Sequence, residues 1–274
     1  MAKRGYISPD GKARKTAKIY LGDANGLARR ITKAYLGDKN GVAREWFSSS
    51  VPISTLPVGT TVYLPYVYGG KQYSEPFLII HQGLPDSTLY DSSCDGTWLV
   101  YTRNCLRTES ENYWDSSSEE EDYNNDYENS DVHAALTYSY WDIYCQSIVK
   151  KISKQVKIPY RPGYVYGNTN VNSGANGLSA QMFLLSAIEV GYDGSDVPID
   201  GATLDYFKDV SDAERAIGVQ GFLRTPVVKS ISSAYFVTSG GTFGYTTTEN
   251  DMGYRPAFIL PSDTLVDDEL NIIA

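Results

Sequence analysis

The chain has 274 residues, 42% of them hydrophobic, which suffices for one large globular body with a small appendage. No run approaches the roughly 18 apolar residues of a membrane span, and the opening Met1-Ala2-Lys3-Arg4-Gly5-Tyr6 lacks the apolar stretch of a secretory signal. The expectation is folding in the cytoplasm, with no insertion into a membrane. The net charge of −9 divides unevenly: residues 1–50 hold 11 Lys/Arg against 4 Asp/Glu, and residues 51–274 carry a net −16. The acidic body is therefore repelled by nucleic acid and by anionic membranes.

The basic head is repetitive. Gly11-Lys12-Ala13-Arg14, Gly26-Leu27-Ala28-Arg29 and Gly41-Val42-Ala43-Arg44 recur every 15 residues, and Lys18-Ile19-Tyr20-Leu21-Gly22-Asp23 is echoed by Lys33-Ala34-Tyr35-Leu36-Gly37-Asp38. Asn25-Gly26 and Asn40-Gly41 suit the positive φ of hairpin turns, so short strands joined by tight turns are expected. So few strands cannot bury a core alone, and the module should dock on something. The evenly spaced Arg14, Arg29 and Arg44 suit an acidic protein surface; a solvated basic face is the simpler alternative. With no recognition helix and few aromatics, nucleic acid is not the expected partner.

This pattern of G-x-A-R, Y-x-G and N-G turns resembles the N-terminal repeats of tail and virion proteins of phages infecting Firmicutes, over about the first 47 residues. The resemblance implies a virion protein whose residues 1–50 contact other virion proteins, with Arg14, Tyr20, Arg29, Tyr35 and Arg44 as attachment residues.

Ser48-Ser49-Ser50-Val51-Pro52 is the expected boundary, dividing a module of residues 1–50 from a body of residues 51–274. Beyond it, Phe77-Leu78-Ile79-Ile80-His81 and Thr97-Trp98-Leu99-Val100-Tyr101 read as buried strands. Residues 109–131 hold ten carboxylates and no Lys or Arg, and an exposed loop is expected there. Its acids lack the alternating oxygens and turn glycine of a calcium loop, so no metal is assigned. Cys94, Cys105 and Cys145 form no zinc pattern. Buried free thiols are expected, with a Cys94–Cys105 bridge as the alternative.

Asn129 or Ser130 caps an expected helix beginning Asp131-Val132-His133. A second helix should carry Ile148 and Ile152 on one face and end before Pro159. His81 and His133, the only histidines, read as structural. Met182-Phe183-Leu184-Leu185 fits strand or helix equally. Gly221–Pro226, Ala234–Val237, Gly240–Tyr245 and Gly253–Pro261 read as strands between glycine turns.

The order Asn129-Ser130-Asp131, Val156-Lys157-Ile158-Pro159-Tyr160, Phe183-Leu184-Leu185-Ser186 with Glu189, Phe222-Leu223-Arg224-Thr225-Pro226 and Tyr254-Arg255-Pro256-Ala257-Phe258 resembles a domain family of uncharacterised function common in Firmicutes and their phages, over residues 60–262. That family is similar to C-type-lectin-like and formylglycine-generating-enzyme-like folds, whose relatives include variable binding proteins of diversity-generating retroelements. The resemblance implies an α+β body, a C-type-lectin-like domain of mainly antiparallel sheet with two helices, after a small all-β repeat module. Arg224, Arg255 and Glu189 are expected in structural roles, through multi-donor hydrogen bonds. In lectin-like relatives the segment holding Tyr235, Phe236, Phe243 and Tyr245 presents binding residues, so these are the candidate ligand contacts.

Neither a nucleophile elbow, a zinc signature nor a phosphate loop is present, and no catalytic residue or cofactor is assigned. The expected function is a virion protein at the tail tip, fibre or head surface that binds a host-surface glycan or protein, assembled as a homo-oligomer, by preference a trimer. Two alternatives stand beside it: an architectural decoration protein without a ligand, and a carbohydrate-active enzyme, since the chain's 33 carboxylates leave many acid pairs open.

Overall fold

The computed structural model describes residues 50–103, 125–138, 145–163, 166–216, 220–250 and 252–273, together with four N-terminal strands as backbone. Those strands are β1 (Ile19–Gly22), β2 (Ala28–Ile31), β3 (Lys33–Gly37) and β4 (Ala43–Ser48). They form two antiparallel hairpins, β1 with β2 and β3 with β4. Each connection contains one of the Asn-Gly pairs. Tyr20 stands opposite Arg30, Arg29 opposite Leu21, Tyr35 opposite Glu45 and Arg44 opposite Leu36. Arg14 lies outside the described residues.

The body is a mixed α+β fold with mostly antiparallel sheets and few helices. After β5 (Val51–Pro52) come β6 (Thr61–Tyr68) and β7 (Lys71–Gln82), a long hairpin closed by Gly69-Gly70, both with positive φ. β8 (Thr97–Tyr101) follows, then helices α1 (Asp131–Tyr138) and α2 (Gln146–Ile152). The short strands β9 (Val156–Ile158) and β10 (Leu178–Ala180) pair with each other. Next are β11 (Met182–Leu184), the one-turn helix α3 (Asp212–Arg215), β12 (Gly221–Pro226), β13 (Ser233–Val237) and β14 (Phe243–Thr247). β15 (Gly253–Tyr254), β16 (Pro256–Leu260) and β17 (Leu265–Val266) complete the chain, and β17 pairs with β5.

Two sheets organise the body. One has the order β11-β16-β8-β7-β6, the other β14-β13-β12-β15, in which only the β12–β15 pair is parallel. The undecided Met182–Leu185 run is a strand because it pairs with β16, Phe183 opposite Ala257. The core sits on the first sheet around Trp98, whose ring meets Tyr90, Phe183 and His81 edge-on. Its indole N–H donates to the Cys94 carbonyl at 3.0 Å, which removes the cost of burying that donor.

Three expectations need adjustment. The exposed loop over 109–131 does not extend to its C-terminal end, where Asn125 and Tyr127 are fully buried. Asn125 Nδ2 donates to the Ser230 and Ser233 carbonyls at 2.8 and 3.0 Å, and the Tyr127 hydroxyl accepts from the Leu184 N–H at 2.8 Å. Polar groups with their bonds supplied tolerate burial, and charge density alone does not reveal this. Residues 109–124 lie outside the described residues. Secondly, α3 adds a third helix to the two expected, started by a capping box between Ser211 and Glu214. Thirdly, α2 buries Gln146 and Val149, while Ile148 and Ile152 pack only partly against the core. Ser130 caps α1, its Oγ accepting the His133 N–H at 3.2 Å. Among the described residues no helix is long and apolar enough to cross a membrane.

Candidate functional site: an aromatic face on the C-terminal sheet

Arg224, on β12 of the same sheet, and Glu189 form a buried polar centre. Both side chains are fully buried and paired through two hydrogen bonds, Nη1 to Oε2 at 2.5 Å and Nη2 to Oε1 at 2.6 Å. Arg224 also donates to the carbonyls of Pro159 (3.1 Å), Leu184 (2.8 Å) and Asp200 (2.9 Å). Glu189 further accepts from the Tyr90 hydroxyl at 2.7 Å and the Ser186 N–H at 2.9 Å. The pair therefore ties β12 to the segment after β11, and a planar guanidinium with five donors suits that task. Arg255 donates to the Arg215 carbonyl at 3.2 Å.

Asp200 is buried against this pair, its Oδ2 accepting from the Thr225 hydroxyl at 2.7 Å. Burial pushes its carboxyl up to about 6, against the pull of Arg224.

The candidate ligand residues lie on β13 and β14, but the structure separates their roles. Tyr235 is only 4% exposed and Tyr245 is 66% exposed, while Phe236 and Phe243 are half-buried. Tyr245 stands edge-on to Tyr235 at 6.2 Å between centroids. Two residues that the sequence did not single out complete the cluster. Tyr192 stacks on Phe243 at 4.5 Å and meets Tyr235 at 5.5 Å, and the Arg215 guanidinium lies 4.8 Å from the Phe243 centroid. Burial pushes the Tyr235 phenol up to about 12, so it stays neutral.

Arg215 is positioned from below the hairpin turn. Its Nε donates to the Val190 carbonyl at 3.0 Å, and its Nη1 to Asp212 Oδ1 at 2.6 Å and the Gly241 carbonyl at 3.1 Å. Gly241 has φ +86°, and a Cβ there would meet the Asp212 carbonyl oxygen at 1.6 Å. Only glycine lets the β13–β14 turn approach α3 so closely. The Ser211-Asp212-Ala213-Glu214 capping pattern was the available signal for α3, and hence for Arg215. Tyr192, one tyrosine among 23, had none.

A second exposed group lies on the β6–β7 hairpin: Tyr63, Val67, Tyr68 and Tyr73. Beside it is an open depression of about 440 Å³ lined by Pro65, Tyr66, Val67, Gln72, Tyr73, Ser74 and Asn271. The depression next to Arg255, about 20 Å³, has room for a single water.

Cys94 and Cys145 are buried, and burial pushes their thiols up to about 12, which removes the reactive thiolate. Cys105, the other half of the alternative bridge, lies outside the described residues. His81 Nδ1 lies 2.8 Å from Asp205 Oδ2, and burial lowers both histidines from their usual value. No group of three or more His, Cys, Asp or Glu that could hold a metal occurs among the described residues.

A domain family described as a domain of unknown function (DUF6273) matches residues 95–262, more than half of the chain, and the chain belongs to that family. No curated protein and no solved structure matches the chain.

Proposed function

We propose that this member of the DUF6273 family is a structural protein of a bacteriophage particle, attached through residues 1–50 and binding the host surface through a C-type-lectin-like body. The observation that carries the binding part is Tyr245, a ring 66% exposed on a strand whose turn is locked against α3. Tyr235 meets it edge-on, and Tyr235 is packed in turn against Tyr192, which stacks on Phe243 beside Arg215. A rigid, amphipathic ring on a fixed element loses little entropy on contact, which is what a recognition anchor requires. The attachment part rests on the 15-residue basic repeat, the opposite charge of the body, and hairpins too small to bury a core. The ligand is a host-surface glycan or protein, and the copy number follows the local symmetry of the particle, threefold by preference.

One observation favours a purely architectural decoration protein instead: Tyr235 is almost wholly buried, and Phe236 and Phe243 are half-buried, so these rings spend much of their area on packing. A single truncation separates attachment from binding. Deleting residues 1–47 should abolish incorporation into particles while the body stays folded and still adsorbs to host cells. Normal incorporation of the truncated chain would overturn the attachment role. A folded intact chain that adsorbs to no host cell would favour the architectural reading.

A further inference from the structure

The four-stranded sheet ends on β14, and this edge differs from those of the five-stranded sheet. Thr238 N–H donates to the Thr242 carbonyl and Thr248 N–H to the Ser232 carbonyl, both at 2.8 Å, and the register between them is unbroken. Residues 242, 244, 246 and 248 therefore turn their main-chain groups toward β13. By alternation, Phe243, Tyr245 and Thr247 turn theirs away from the sheet. No described group accepts from the N–H of Phe243, Tyr245 or Thr247, and of their carbonyls that of Thr247 already accepts from the Asn250 N–H at 3.2 Å and its Nδ2 at 3.4 Å.

The edges of the five-stranded sheet are covered in part. On β11, the Leu184 N–H donates to the Tyr127 hydroxyl and its carbonyl accepts from Arg224. On β6, Tyr63 is bonded on both sides of its peptide to Leu270 and Ile272, and the next outward position is Pro65, which has no N–H to offer. Proline and short covering strands are how sheet edges are kept from pairing. β14, Phe243-Gly244-Tyr245-Thr246-Thr247, has neither proline nor charge.

We infer that β14 is a self-association edge, pairing antiparallel with β14 of a second copy of this chain about a twofold axis through Tyr245. Register favours a second copy as the occupant. Centring the pair on Tyr245 sets Gly244 opposite Thr246 and Phe243 opposite Thr247, aromatic against β-branched and smallest against branched, pairings that stabilise sheets. Glu249 then falls opposite Gly241, so no like charges meet across the strands. The twofold pair joins two four-stranded sheets into one. Tyr245 stays on the face it shares with Tyr235, so two aromatic faces become continuous. A strand pair of this length buries less than the roughly 1,200 Å² of a stable interface, so the dimer is a weak, concentration-dependent contact between chains, separate from the threefold arrangement proposed within the particle. With each chain at −9, it tightens as salt screens the repulsion.

The test uses the full chain carrying Cys105→Ser, leaving Cys94 and Cys145, both buried. Tyr245 is the one position that meets itself, so Tyr245→Cys should form an intermolecular disulfide under mild oxidation about tenfold faster than a Glu249→Cys control. Sedimentation should show a dimer that strengthens with concentration and salt. Thr247→Pro removes an outward N–H, as Pro65 does on β6, and keeps the Tyr245 ring; it should leave a folded monomer. If that variant melts early, Tyr245→Lys supplies the disrupting arm by placing like charges opposite each other. The inference is overturned if Tyr245→Cys and Glu249→Cys cross-link at equal rates, if the parent stays monomeric to millimolar concentration, or if the disrupting variant associates like the parent. Adsorption by a monomeric Thr247→Pro chain separates failure of this edge from failure of the recognition face.

Discussion

At the scale of single residues, the Arg224–Glu189 pair shows how a buried charge is made tolerable. Every nitrogen of the guanidinium has a partner, and both carboxylate oxygens have two. Removing one member leaves the other charged and unpaired in a dry interior, which costs about 3–5 kcal/mol. Arg224→Lys offers one point charge where five directed donors are needed, and should lower stability almost as much as Arg224→Ala. Thermal unfolding of the two variants checks this; a lysine variant as stable as the parent would show that the fork geometry is immaterial.

Asp200 gives the pH dependence a sign. Its folded-state value of about 6 lies above the ordinary 3.8, so the folded chain holds this proton more tightly than the unfolded chain. Stability from this group is full below about pH 4 and is lost as pH rises through 6, by about 3 kcal/mol. Asp200→Asn should therefore lose less stability than the parent between pH 4 and pH 8, in chemical denaturation at several pH values. An unchanged difference between the two pH values would remove Asp200 as the cause.

At the scale of elements, the turn between β13 and β14 couples two parts of the candidate face. Gly241→Ala has no room for its Cβ against Asp212 and would force a positive φ on alanine, so the turn must lift away from α3. A loss of about 2 kcal/mol or more is expected. Arg215 should also leave Phe243, which a changed near-ultraviolet circular dichroism spectrum of the neighbouring tyrosines would register. A variant with the parent's stability and spectrum would contradict the coupling.

Legibility differed element by element, for physical reasons. The strands around Phe77–His81 and Thr97–Tyr101 were readable because each is a short run of β-formers buried within the sheet. β6 is less legible, although Gly69-Gly70 between tyrosine-rich runs is a hairpin signal. Pro65 speaks against a central strand, and β6 is an edge, where proline is permitted. The sequence brought Arg224 and Glu189 to attention through a family pattern. Their pairing depends on a chain reversal that periodicity does not encode. On the candidate face Tyr245 was named together with Tyr235, because spacing along a strand cannot say how far from the sheet edge a ring stands.

At the scale of the whole molecule, the charge split and the two kinds of β structure fit the division of labour we propose, with a basic head to attach and an acidic body to present a face. In the proposed function this face, and Tyr245 in particular, contacts the host. The most direct measurement pairs equilibrium adsorption to host cells with thermal unfolding for Tyr245→Ala and Tyr235→Ala. The exposed ring should lose about 1–3 kcal/mol of binding on truncation with its melting temperature unchanged. The buried ring should instead lose about 3–5 kcal/mol of stability. If Tyr245→Ala stays folded and adsorbs as well as the parent, the recognition face is not where we place it.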